Sequence, residues 1–281
     1  MQDFLELAVG ATASGCIYGL VALAYLLIIR PTGIINFAIG EWAMVGAFGG
    51  HVLLTRYEWP YPLGMAAVVA GLCLLGWFTE RIAVRPLVER GAPLLAPVLA
   101  LLGVLVITRE AISVSFPPDP LPVPFAFGIE YQKYFIIAVA LVVFAGAWLF
   151  FEKTLWGRSF EAVSLNRRAA ALMGINLPRV TAVSFAGGAG IAGLAGLLVS
   201  PNVSAHYLMG VPLAIQGFTA LVIGGVGRVE GALLGGLLLA FAEQLTIRYA
   251  PIPGGYAQGV PLLFLIVFLL IRPTGLLRSR G

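Results

Sequence analysis

Of 281 residues, 60% are hydrophobic and only 11% are charged, with a mean hydropathy of +0.97, where a soluble domain carries about 25% charged residues. The 13 acidic and 17 basic side chains are too few to coat soluble domains, which excludes a soluble globular protein, a disordered chain and a small disulfide-stapled fold and points to an all-α polytopic membrane protein. The net charge of +4 comes without a basic run, so it argues against nucleic acid as a partner and reads as a signal of orientation in a lipid bilayer.

The first apolar run, 5–29, begins beside Asp3 and Glu6, where a secretory leader would be basic, and is expected to remain as a membrane helix. Cys16 within it, and Cys73 further on, are expected to pack as small hydrophobes. Taking about 20 apolar residues per span, the next segments are 34–54, 62–80, 93–112, 133–151, 181–200, 213–226, 231–248 and 259–271. Two of these are short, and 34–54 carries Glu41 among Gly40, Gly46, Gly49 and Gly50, so the expectation is eight to ten transmembrane or re-entrant helices in one domain over 1–281. Glu41 is expected to face protein, either as a satisfied helix-end carboxylate or on a route through the bundle. The loop at 113–132 holds Pro117, Pro118, Pro120, Pro122 and Pro124, which favours extended backbone, read as a stiff connector or as part of a docking surface. The glycines between 213 and 236 permit close packing against a helix of this chain or of a second subunit. Ile29-Arg30-Pro31-Thr32-Gly33 recurs as Ile271-Arg272-Pro273-Thr274-Gly275, read as a shared helix exit in which proline ends the helix and glycine turns the chain.

Placing the N-terminus outside puts Arg30, Arg81, Arg85, Arg90, Lys153, Arg158, Arg167, Arg168, Arg179, Arg228, Arg272, Arg278 and Arg280 on the inner face. Only Arg56, Arg109, Lys133 and Arg248 remain outside. Positive charge accumulates on the cytoplasmic side, so the C-terminus is expected to be cytoplasmic.

Chemistry is conspicuous by its gaps. His51 and His206 are far apart, no His-Glu-x-x-His or Gly-x-Ser-x-Gly occurs, and the only aspartates are Asp3 and Asp119. Neither Lys133, after Gln132, nor Lys153, after Glu152, sits in a phosphate-binding loop. No catalytic residue, metal or cofactor is expected, and if ATP drives this protein another subunit must hydrolyse it.

The polar stretch 152–180 is the one segment rich in both charge and helix formers. A short amphipathic helix is expected between Phe160 and Met173, ended by Gly174. Its Arg168-Ala169-Ala170, followed after three residues by Gly174, matches the Glu-Ala-Ala-x-x-x-Gly spacing of ABC importer permeases, with Arg168 where Glu is usual. Small Ala169 and Ala170 would let a partner groove approach, and Gly174 would let the chain turn.

The resemblance extends further. Thr32-Gly33-Ile34-Ile35-Asn36-Phe37-Ala38-Ile39-Gly40-Glu41 resembles the G-V-I-N-F-A-H-G-E segment of branched-chain amino-acid ABC importer permeases, with Ile39 in place of His. Gly157-Arg158 through Gly174-Ile175-Asn176 and Arg179-Val180 resembles that family's cytoplasmic loop, with Glu161 where Arg is common. Phe218 to Gly236, including Gly224-Gly225-Val226-Gly227, resembles its glycine-rich late segment. These matches run in order along nearly the whole chain, whose length is nearer the LivH-type than the LivM-type subunit.

The resemblance implies a multi-pass subunit of the bacterial cytoplasmic (inner) membrane, working by alternating access. It would pair with a second, LivM-type permease, two cytoplasmic ATPase subunits and an external solute-binding protein. Gly157, Arg158, Arg168, Ala169, Ala170 and Gly174 would couple to the ATPase, and Asn36, Glu41, Gly224 and Gly225 would lie on the translocation pathway or its gate. The family also imports urea, amides and other small solutes. The alternative class is an ion-coupled secondary transporter, with Glu41 or Glu243 as the coupling carboxylate.

Overall fold

The computed structural model describes residues 2–249, 259–272 and 275–277. Within them the chain is helical, apart from loops and one antiparallel bridge between Leu121 and Ala205. The long central helices are α1 (Gln2–Thr32) and α9 (Leu177–Val203), with the short α2 (Ile39–Gly50) against α9. Around them stand α3 (Tyr61–Thr79), α5 (Leu95–Ser115), α6 (Gln132–Lys153), α10 (Gly210–Gly224), α11 (Val229–Tyr249) and α12 (Val260–Ile271), while α4 (Arg85–Glu89), α7 (Leu155–Leu165) and α8 (Arg167–Leu172) are short connectors.

The layering follows from composition. A bilayer supplies no hydrophobic drive between helices, so the centre is built from residues that let backbones meet. In α9 the run Gly187-Gly188-Ala189-Gly190 and then Gly193 and Gly196 faces α1, α2 and α3. A methyl group added at Gly196 would overlap the Ala43 carbonyl of α2, and one at Gly46 would overlap that of Gly193. Trp42 and Phe185 fill the remaining space edge to face, with centroids 6.3 Å apart. By contrast α5 and α6 are mostly exposed, showing Leu95, Leu99, Val106, Ile107 and Val142 outward. Gly196→Val should therefore cost about 3 kcal/mol, because backbone and not a flexible side chain must yield. A fall in the melting temperature of the detergent-purified protein checks this.

Six helices among the described residues are long and apolar enough to cross a membrane: α1, α3 with its continuation, α5, α6, α9 and α11. The 213–226 segment becomes α10, 15 residues long, or about 22 Å at 1.5 Å per residue, short of a hydrocarbon core of about 30 Å. The 34–54 segment starts irregularly and becomes α2, which runs directly into a π-helical stretch, His51–Arg56.

Two expectations need correction. Pro31 does not end α1, which continues to Thr32; Gly33, at φ +68°, donates its N–H to the Ile29 carbonyl at 2.7 Å and closes it. Losing one N–H bond in a last turn is tolerated when the surrounding helix is packed. In the second copy α12 ends at Ile271, Gly275 has φ +76°, and Pro273, Thr274, Arg278 and Arg280 lie outside the described residues. The expected single helix at 160–173 is two, broken at Asn166, whose extended backbone (φ −153°) lets its Oδ1 accept from Ala169 N–H at 3.0 Å and cap α8. Asparagine competes with the helix for its own backbone bonds, which the apolar periodicity did not reveal.

The proline-rich loop is pinned to the bundle. The Pro122 carbonyl is 2.7 Å from His51 Nδ1 and accepts from Thr55 Oγ1 at 3.2 Å, while Leu121 and Ala205 exchange backbone bonds of 2.8 Å.

Candidate functional site

Glu41 lies in the first turn of α2, 1% exposed, and forms an ion pair with Arg109 of α5. Just before it Asn36, also buried, holds the entry to α2 by accepting from Ala38 N–H at 2.9 Å. Glu41 Oε2 and Arg109 Nε are buried without a hydrogen-bond partner, as are Asn36 Nδ2, Trp42 Nε1, Tyr61 Oη and Thr219 Oγ1 among the described residues. Glu41 Oε2 also lies beside Gly210, where an added methyl would come within 2.8 Å of it, so the carboxylate sits at the positive end of α10. Unsatisfied polar atoms in an apolar bundle are costly to keep.

Arg109 was not legible as the partner, because the orientation count treats it as an outer charge. The signal was its position inside the apolar run 93–112, where a charge needs a counter-charge. Its pair joins α5 to a body that it otherwise touches at few places, mainly α2 and the π-helical stretch Glu80–Val84 after α3.

Gly224 and Gly225 do not join Asn36 and Glu41. They end α10, whose start touches Glu41, so about 21 Å of helix separates the two places. A methyl at Gly224 would overlap the Gly231 carbonyl at the start of α11, and Gly225 takes φ +94°. The stretch Gly275–Leu277 closes over this corner, with Leu276 N–H to Ile223 O at 2.8 Å and Leu277 N–H to Gly224 O at 3.1 Å. The glycines at 213–236 thus pack within the chain, Gly217 on Val21, Gly235 on Ala220 and Gly236 on Gly15 and Gly19.

In the 152–180 stretch, Thr154 caps α7 by accepting from Gly157 N–H at 3.0 Å, and Gly157 lies so close to the Phe150 and Phe151 backbone that no side chain fits. Phe160 is fully buried against Phe150 and Phe151. Arg30, at the end of α1, covers the Phe151 ring at 5.0 Å and reaches Glu161 of α7 at 3.8 Å, a link that the sequence did not disclose. Arg158, Arg168 and Ala169 are exposed, whereas Ala170 is 4% exposed, packed inside the chain rather than open to a partner groove. Gly174 has φ +84° with open space around it. Beside it Leu172 and Met173 are 89% and 84% exposed, with Leu165 nearby on α7.

Six long apolar helices, a buried carboxylate paired with an arginine within them and a short two-helix element after α6 describe a polytopic membrane protein. The fold is like that of PsaBC from Streptococcus pneumoniae in complex with Fab, with a TM-score of 0.53 over 94% of this chain and 91% of that one at 11% identity. Residues 7–269 match the family described as branched-chain amino acid transport system / permease component. The chain is 32% identical to the high-affinity branched-chain amino acid transport system permease protein BraD of Pseudomonas aeruginosa, over 99% of this chain and 96% of the relative. It is 28% identical to LivH of Escherichia coli, over 98% and 95%. The chain belongs to this family of permease components.

Proposed function

We propose that the chain is the membrane-spanning, non-catalytic subunit of an ATP-driven importer of branched-chain amino acids or a related small solute in a bacterial inner membrane. It pairs with a second, LivM-type permease and two cytoplasmic ATPase subunits, and receives solute from an external binding protein. The observation that carries this is the apolar end of α8: Leu172 and Met173 stand free of the chain on a capped two-helix element, whose α7 lines, through Glu161, a cavity of about 310 Å³ shared with Arg30, Glu152, Arg228 and Glu230.

The N-outside, C-inside orientation rests on the excess of Lys and Arg in the loops assigned to the inner face. With α2, α10 and α12 as partial or re-entrant crossings, the count is eight to ten. Gly157, Arg158, Arg168, Ala169, Ala170 and Gly174 shape the ATPase contact: Gly157 and Ala170 by packing α7 and α8 tightly, Gly174 by turning the chain, and Arg158, Arg168 and Ala169 as exposed surface. Asn36 and Glu41, with Arg109, form a gate that fastens α5. Gly224 and Gly225 serve the opposite end of α10 as a tight corner. Alternating access then consists of ATPase closure pushing α7 and α8, and Arg30 carrying that displacement from Glu161 into α1.

Copurification from native membranes in mild detergent tests this proposal. Two ATPase subunits per pair of permeases are expected, and their absence would favour the ion-coupled reading.

A further inference from the structure

At the opposite end of α6 from α7, a cavity of about 630 Å³ opens between α1, α6, α9, α10 and α11. That size suits a small organic ligand. Its walls are mixed: Ile17, Ile136, Val199, Met209 and Leu213 form an aliphatic part, and Glu6, Ser14, Asn202, His206 and Gln244 add polar groups to the lining. Lys133, at the first turn of α6, lies over Gly10 near the mouth. About 12 Å deeper along α1 are Tyr18 and, from α10, Gln216.

Behind these two residues stands Glu243 of α11, only 9% exposed, a carboxylate that the gate and the ATPase contact leave unused. Tyr18 donates its hydroxyl proton to Glu243 at 2.8 Å, and the side-chain amide of Gln216 is the carboxylate's second partner. Tyr18, its one proton committed to Glu243, offers the cavity only oxygen lone pairs, while Gln216 keeps its carbonyl oxygen and one N–H. The floor therefore presents two oxygen acceptors with a carboxylate behind them, complementary to an ammonium group, and one N–H that suits the carboxylate beside it in an α-amino acid.

We propose that this cavity is a solute-binding pocket for an aliphatic α-amino acid, the ammonium group on Tyr18 and Gln216, the aliphatic body on the aliphatic part of the walls, and Glu243 acting as a positioning residue. The assignment rests on the importer reading above and adds to it the place and the recognised pole. A buried intramembrane carboxylate is expensive to retain without such use.

Thiol protection in the assembled transporter, reconstituted in liposomes with Cys16 and Cys73 replaced by alanine, tests the pocket. Ser14→Cys, with Gly10→Cys as a second position, places a thiol on the cavity wall. A water-soluble maleimide should label it, and millimolar L-leucine should slow labelling at least about fivefold. The same chain without its amine, 4-methylpentanoate, should protect about tenfold less, the effect of one charge-assisted hydrogen bond. Adding Glu243→Gln should remove leucine protection while the thiol still reacts. Labelling unaffected by leucine, or equal protection by the two compounds, would overturn the proposal. ATP-driven leucine uptake by the wild-type complex, measured in parallel, reports on the importer reading alone: uptake without protection rejects only the pocket.

Discussion

Replacing Leu172 and Met173 together with glutamate should abolish ATP-driven uptake, by about 100-fold or more, while the permease remains folded in its membrane. Both side chains are almost fully exposed in the isolated chain, so the fold loses nothing when they change. Burying each against an ATPase would contribute about 1.5–3 kcal/mol, and forcing two carboxylates into that contact turns the gain into a penalty. With tenfold per about 1.4 kcal/mol, the partner should be lost from the purified complex. Measuring the retained ATPase and the uptake rate in the same preparation checks both halves. Ala170 is a poorer probe: 4% exposed, it supports α8 itself, so a bulky change there would disturb the element before it reported on any partner.

The second large effect concerns Arg109→Met. This leaves Glu41, 1% exposed, as a buried carboxylate without its ion-pair partner, at a cost of about 3–5 kcal/mol. A large drop in melting temperature and poor assembly are expected. Removing both charges, as Glu41→Leu with Arg109→Met, should recover most of that stability, since an apolar pair of similar volume suits the site. If the pair is the gate, the double variant folds and assembles but does not transport. Normal uptake in the double variant, or in Glu41→Gln, would reduce the pair to a structural tie.

Membrane character, segment order and the close packing of the glycines at 213–236 could be read from the sequence, because apolar run length and glycine spacing act locally, whereas the glycine run of α9 read only as one more apolar segment. The break at Asn166 was hidden because periodicity on either side of it is continuous and only the side-chain cap divides the helix. Arg109 with Glu41, Arg30 with Glu161, and Tyr18 with Glu243 were hidden for a different reason. Each joins residues distant in sequence, and a lone charge in an apolar run announces the need for a partner without naming it. Ala170 shows the converse limit: its spacing from Gly174 was visible, but whether a small residue makes room for another subunit or for its own chain depends on the tertiary packing.

The central claim, that ATP hydrolysis by a partner drives solute through this chain, is tested most directly by uptake into liposomes holding the assembled complex and the binding protein, with ATP on the ATPase side and no ion gradient. Leucine should accumulate against its concentration, and a substitution that stops hydrolysis in the ATPase subunits should end it. Accumulation that ignores ATP and follows an imposed proton or sodium gradient would contradict the account.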